Sequence, residues 1–271
     1  MIGSAFVIDA HCHLGGSLVS GVENGEGDLH AALAAHGVDM AMVMPHPHQG
    51  PEVYASHDCI ARLVERHPGV FWGMASLSPR LPEADYRREI VRCVRDLGFR
   101  AIKLDPSVHA LPPNHPRCDA TFALARELGV PVLIHTGFGV PNALPALAIP
   151  PALAYPDVTV VLAHAGFAVF TPEAIVAAQV CPNIVLEPSW CASYQIAEMV
   201  RTAAIGPERV MYGSDHISNM ASELAKLQSL GLTEGQLAQV LGGTARRVFG
   251  LLETDTGDTR TNEYARSGRG R

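Results

Sequence analysis

Eight short apolar runs, starting at Ala5, Asp39, Val70, Phe99, Pro131, Val158, Asn183 and Arg209, recur about every 29 residues along the chain, the length of one strand, one helix and their two loops. No other feature narrows the fold as much. Several runs, VTVVLAH and PVLIHT among them, are apolar at successive positions, as parallel strands covered on both faces must be. Between the runs lie segments with apolar residues at three and four spacing, clearest over Asp28 to His36, Ala55 to Arg66, Glu83 to Leu97, Asp119 to Leu128, Pro172 to Val180 and Ala221 to Leu230. Several of these stop at glycine, as in His36-Gly37 and Leu128-Gly129, where a left-handed C-cap is wanted. The repeat predicts one α/β domain, a (β/α)8 TIM barrel over residues 1–253, with Thr233 to Leu252 as a C-terminal closing helix.

Composition narrows the partners. Hydrophobic residues make up 48% of the 271 and charged residues 17%, so the body buries a large core. A net charge of -7 opposes a grip on nucleic acid or an anionic membrane surface, which leaves a small-molecule substrate as the expected partner. No uncharged apolar run reaches the ~20 residues of a membrane span. The six cysteines form no C-x-x-C pair, and no Lys or Arg precedes Arg62, so the chain reads as cytoplasmic, without a disulfide framework or a targeting segment. A homo-oligomer is compatible with all of this. Residues 254–271, with one aromatic and no branched aliphatic residue, are expected to be a disordered tail. The Gly- and Ser-rich stretch after the first run reads as a flexible connection, with a cover over the site as the alternative.

In a barrel of this kind the site lies at the C-terminal ends of the strands. The polar residues there are Asp9, His11 and His13 on the first run, Lys103 and Asp105 on the fourth, His135 on the fifth, His164 on the sixth, Glu187 and Ser189 on the seventh, and Asp215 with His216 on the eighth. Such a ring has the composition of a zinc, manganese or iron site. The spacing of His11 and His13 puts both imidazoles on one face of a strand and turns Cys12 toward the helices. Asp9, one alternation deeper, is placed to orient an imidazole. His46-Pro47-His48 repeats the same spelling but reads as a loop beyond the second strand. Lys103, one of two lysines, points inward between Ile102 and Leu104, either paired with Asp105 or Asp9 or meeting an anionic substrate. Glu187, Ser189 and Trp190 are candidates for substrate contact, with a packing role equally open.

The motifs IDAHCHL, GFRAIKLDP, GVPVLIHTG, LAHAG, RVMYGSD and LGGTARRVFGL, in this order over about residues 5 to 252, resemble the amidohydrolase superfamily, in its amidohydrolase-related branch of metal-dependent hydrolases and non-oxidative decarboxylases. The resemblance implies that His11, His13, His135 and Asp215 bind one divalent metal, zinc ahead of manganese or iron. It makes His164 either a second-metal ligand or an acid/base group, and gives Lys103 the position of a lysine that some two-metal members carbamylate. The implied chemistry is hydrolysis of an amide, lactone or ester, with Asp215 as base and His164 helping to stabilise the oxyanion. The alternative is decarboxylation of a small aromatic or unsaturated acid; a barrel that binds without turnover is third.

Deleting the residues after Glu253 is expected to leave melting temperature and activity unchanged, since the removed stretch carries four arginines against three acids and little to pack. A lower melting temperature in the truncated chain would show that the tail docks.

Overall fold

The structure is a computed structural model that describes residues 5–16, 21, 23–47 and 52–251. The proposed tail, His48 and part of the Gly-rich connection lie outside the described residues. The first seven apolar runs supply strands β1 (Ile8–Gly16), β3 (Met40–Pro45), β4 (Phe71–Gly73) with β5 (Ala75–Ser76), β6 (Ile102–Leu104), β7 (Val132–His135), β8 (Val160–Ala163) and β9 (Ile184–Glu187); β2 (Glu23–Asn24) forms an antiparallel hairpin on the end of β1. Hydrogen-bonded neighbours run β2-β1-β3-β4 and β5-β6-β7-β8-β9, parallel throughout except at the hairpin.

Two joins make these sheets one barrel. The third run is interrupted at Met74, so that β4 pairs with β3 while β5 pairs with β6, and the Met74 N–H donates to the Val43 carbonyl at 2.8 Å. The eighth run fills the gap between β9 and β1: Met211 N–H donates to Leu186 O at 2.9 Å, Ala10 N–H to Tyr212 O at 3.0 Å and Asp215 N–H to His11 O at 2.7 Å. It stays extended without becoming a continuous strand, because the Tyr212 N–H is drawn to the Val240 carbonyl of the closing segment at 2.9 Å.

The side-chain alternation of each strand sorts the core into two layers. Met40, Met42 and Met44 of β3 point into the barrel, where Met74, Met211, Leu133, Val161 and Val185 fill the interior, while Ala41 and Val43 face the helices. Lys103 obeys the same rule, since Ile102 and Leu104 on either side belong to the outer layer. Methionine adapts its shape to a tapering space, which suits an interior of this kind. Phe249 and Leu251 close the N-terminal end of the barrel.

The helical segments follow the sequence pattern closely, with Glu26–His36 and Asp119–Leu128 ending on Gly37 and Gly129 at φ of +68°. Two expected continuous helices each contain a wider turn. Glu83–Val91 runs on into a π turn over Arg92–Asp96, and the closing helix is divided into Glu234–Ala238, a π turn over Gln239–Gly243, and Thr244–Val248. Apolar spacing of three and four does not separate the two hydrogen-bond patterns over a single turn. Among the described residues no helix is long and apolar enough to cross a membrane.

The second π turn lays Gly242 directly against the Phe6 carbonyl, where any Cβ would collide with backbone. Gly242→Ala is therefore expected to destabilise the barrel by about 1–3 kcal/mol in urea denaturation. An unchanged transition midpoint would mean that the closing segment does not pack on the base of β1 as described.

Candidate metal centre

The pairing of β1 with β3 slips between Asp9 and Cys12, and this irregularity decides what the first strand presents. Asp9 turns away from the rings: its Oδ1 accepts from the backbone N–H groups of His11 and Ser214, both at 3.0 Å. The expectation that Asp9 orients an imidazole is thus corrected, because the slip leaves its carboxylate tying β1 to the eighth run. Burial pushes this carboxyl up to about 6, against the donors that favour its charge.

His11 and His13 project toward the barrel axis with their outer nitrogens already engaged. His11 Nδ1–H donates to Glu187 Oε2 at 2.8 Å and His13 Nδ1–H to the Pro45 carbonyl at 3.2 Å, so each Nε2 lone pair points inward. Both Nε2 atoms lie 3.4 Å from Asp215 Oδ1. On β8's end, His164 Nδ1 meets Ser189 Oγ at 2.8 Å; that hydroxyl gives its hydrogen to Glu187 Oε2 at 3.1 Å, so it accepts from the ring and leaves His164 Nε2 unprotonated. His135 ends β7 with its ring centroid 4.8 Å from that of His164, and its Nε2 is buried with no hydrogen-bond partner.

Charge around these rings is arranged to favour a cation. Burial lowers the pKa values of His11 and His164 well below the usual imidazole range, and lowers that of His135, so all three are neutral donors of a lone pair. Burial alone would raise Asp215, but positive charge on the facing His164, His13 and His11 rings outweighs it and holds the carboxyl well below the usual range, a charge that a cation among the neutral rings would supply in their place. Lys103 is buried with Nζ 3.1 Å from His11 Nε2, and burial lowers its pKa while Asp105, Asp215 and Glu187 oppose that shift. Asp105 also caps the short helix Pro106–His109 by accepting from the Ser107 and Val108 N–H groups.

A divalent ion fits these residues. Ligand atoms of His11, His164 and Asp215 lie within 4.8 Å of one another, a grouping of the type that gathers around one divalent ion. His13 Nε2 approaches the same Asp215 oxygen at 3.4 Å and the His135 ring packs on His164, but neither nitrogen joins that group of three. A second buried group, His57, Glu89 and Cys93, has its donors already engaged: His57 donates from Nδ1 to Glu89 at 2.8 Å and accepts from the Ser76 N–H at 3.1 Å, while Arg92 donates twice to the same carboxylate.

The remaining sequence candidates form the wall and the rim. Glu187 has no exposed surface and lies behind His11, holding four donors: His11 Nδ1–H, the His164 and Ser189 N–H groups, and the Ser189 hydroxyl. Ser189 is buried beside it. Trp190, 40% exposed, donates from its indole to Asp215 Oδ2 at 2.9 Å and stacks on Phe167 at 5.8 Å, which meets the exposed Phe138 edge-on at 5.2 Å. His216 instead caps the turn Ile217–Asn219 through its Nδ1. Sequence reasoning missed His46, whose ring stacks on His13 at 4.5 Å and 9°. Its position directly after β3 was the available signal. Phe138 and Phe167 had none, since they sit in loops whose course no periodicity describes.

Three successive strand ends are held in the left-handed backbone region by residues other than glycine: His164 at φ +65°, Trp190 at +68° and Asp215 at +64°. Each such residue costs on the order of 1–3 kcal/mol and persists only where its surroundings enforce it. Phe138, Ala165, Phe167 and Ala168 in the neighbouring loops, and Ala110 after the fourth run, share this conformation.

A family model described as amidohydrolase matches residues 8–251. Among curated proteins none matches the sequence. The chain resembles the solved structure of 5-carboxyvanillate decarboxylase from Sphingomonas paucimobilis, with 16% identity, a TM-score of 0.74, and 92% of this chain and 100% of that one covered. It is similar to 5-carboxyvanillate decarboxylase from Novosphingobium aromaticivorans, solved with manganese and 4-hydroxy-3-methoxy-5-nitrobenzoic acid, at 18% identity, TM-score 0.74 and coverage of 92% and 97%. A probable 2-pyrone-4,6-dicarboxylic acid hydrolase from Acinetobacter baumannii aligns at 12% identity, TM-score 0.67 and coverage of 90% and 99%. At these identities the likeness establishes the barrel fold.

Elemental analysis of protein purified without chelator is expected to show about one divalent ion per chain, and Glu187→Gln is expected to weaken its binding by roughly 10–100-fold in chelator competition, with circular dichroism unchanged. Unaltered affinity would separate Glu187 from the centre.

Proposed function

The chain belongs to the amidohydrolase family, and from that membership together with the centre at the strand ends we propose that it is a metal-dependent hydrolase using activated water on an amide, lactone or ester of a small molecule. The observation that carries this reading is the meeting of His11, His164 and Asp215 within ligand distance, beside an unpartnered buried nitrogen of His135. His11, His13, His135 and Asp215 would hold the ion, with His164 within reach as a further ligand. A divalent ion there, zinc first and manganese or iron as alternatives, would supply a lowered pKa for water, from about 15.7 to about 7, and polarisation of a carbonyl.

The protein's own groups divide the remaining work. Asp215 stays ionised, with Oδ2 held by Trp190, and takes the proton from water before passing it to the leaving group. His164 offers a lone pair at Nε2, which suits a ligand or base; as a neutral ring it has no hydrogen there to give an oxyanion. Lys103 is the cation that meets developing negative charge or an anionic group of the substrate. Three carboxylates surround it, and an ammonium suits that company better than a carbamate, which would add another anion. This supports one metal. Glu187 and Ser189 fix the two imidazoles, and Trp190 with Phe167 and Phe138 forms the rim over which substrate enters.

One observation favours a second reading, metal-dependent decarboxylation of a small aromatic or unsaturated acid: the stacked aromatic rim and the buried ammonium match a flat ring bearing a carboxylate. The similarity to decarboxylase structures points the same way. Turnover in ¹⁸O-water with CO2 trapping, over a panel of lactones, esters, amides and aromatic carboxylates, separates the two. Label in the product is expected; CO2 without label would establish decarboxylation. Asp215→Asn is expected to lower kcat at least about a hundredfold with the fold intact. Turnover within a few-fold of wild type would move the base to His164.

A further inference from the structure

Trp190 stands in a left-handed conformation, φ +68°, and a turn of that kind must be held from outside. What holds it lies on the outer helix Met220–Gln228. The Trp190 N–H donates to Glu223 Oε1 at 2.9 Å, and the same oxygen accepts from Asn219 Nδ2 at 2.8 Å and Lys226 Nζ at 2.7 Å. Both donors reach onward to the two loops that form the site: Asn219 Nδ2 to the Ser214 carbonyl at 3.1 Å and Lys226 Nζ to the Cys191 carbonyl at 2.9 Å. Glu223 is 3% exposed and touches none of the candidate metal ligands. From this point the indole carries the connection to the centre, through its 2.9 Å hydrogen bond to Asp215 Oδ2.

We propose that Glu223 is a positioning residue for the metal centre: it clamps the loop after β9 to the loop bearing Asp215, so that the Trp190 indole restrains one carboxylate oxygen and Oδ1 is left facing His11 and His13. The inference rests on the reading of Asp215 as a ligand. A carboxylate held at one oxygen loses less freedom when the other binds an ion, so its affinity rises through preorganisation. Replacing the clamp releases the strained turn, and the indole leaves the carboxylate.

The chain has two tryptophans, Trp72 and Trp190, so a Trp72→Phe background makes fluorescence report on Trp190 alone. In that background the metal-free protein with Glu223→Ala is expected to show red-shifted emission and stronger acrylamide quenching. Its dissociation constant for Mn2+ is expected to rise at least about tenfold. Glu223→Gln keeps an oxygen for the Trp190 N–H and should restore both properties. Trp190→Phe, read by Mn2+ affinity alone, should lose the same affinity without touching the helix, and serves if Glu223→Ala does not fold. Wild-type emission and affinity in Glu223→Ala, or wild-type affinity in Trp190→Phe, would overturn the proposal. A parent protein that binds no Mn2+ would overturn the ligand assignment, and with it the role proposed for Glu223, whereas altered emission with unchanged affinity would overturn the positioning role alone.

Discussion

The Glu187 carboxylate is the group on which the site depends. A buried carboxylate is costly unless hydrogen bonds replace its water, and here four donors from three strand ends do so: the His11 ring, the His164 amide, and the Ser189 amide and hydroxyl. Burial still pushes it up to about 7, so the desolvation is only partly offset. A cation among the facing imidazoles would favour its charged form. The eighth run makes room for it with Gly213, where a Cβ would stand 2.7 Å from the Glu187 carboxyl carbon. One anion therefore sets the tautomers of two rings and the spacing of three strands.

Around that anion the barrel does what a rigid scaffold must for a site built on strained residues. The interior below the ring is packed with Met40, Met42, Met44, Met74 and Met211 and closed by Phe249 and Leu251, so the strand ends cannot relax inward. On the outside, the buried His57–Glu89–Arg92 network braces two helices against β5 and the Glu223 cluster braces the loops after β9 and the eighth run. Backbone in the left-handed region at His164, Trp190 and Asp215 is stable only because these contacts leave it no alternative.

The barrel was legible in the sequence because eight apolar runs at a steady interval admit few other arrangements, and the inward course of Lys103 followed from its two apolar neighbours. The meeting of His11, His164 and Asp215 was legible for the same reason: each ends an apolar run. What lay between elements was not. The slip in β1 that turns Asp9 to the backbone leaves no mark on alternation, and the stacking of His46 on His13 depends on a loop angle. Glu187 was open to substrate contact or packing, and the structure places it behind His11, because position on a strand does not tell which partner a carboxylate meets. Glu223, on an outer helix, belongs to no motif.

In the proposed function, neutral imidazoles and one restrained carboxylate are the origin of the chemistry, with hydrolysis and decarboxylation as two uses of the same centre. X-ray absorption at the metal edge of Mn2+-loaded protein addresses that claim directly. A first shell of nitrogen and oxygen with outer-shell scattering from at least three imidazoles is predicted, losing imidazole scattering in His11→Ala or His135→Ala. A bound ion with an all-oxygen shell, unchanged by either substitution, would contradict it.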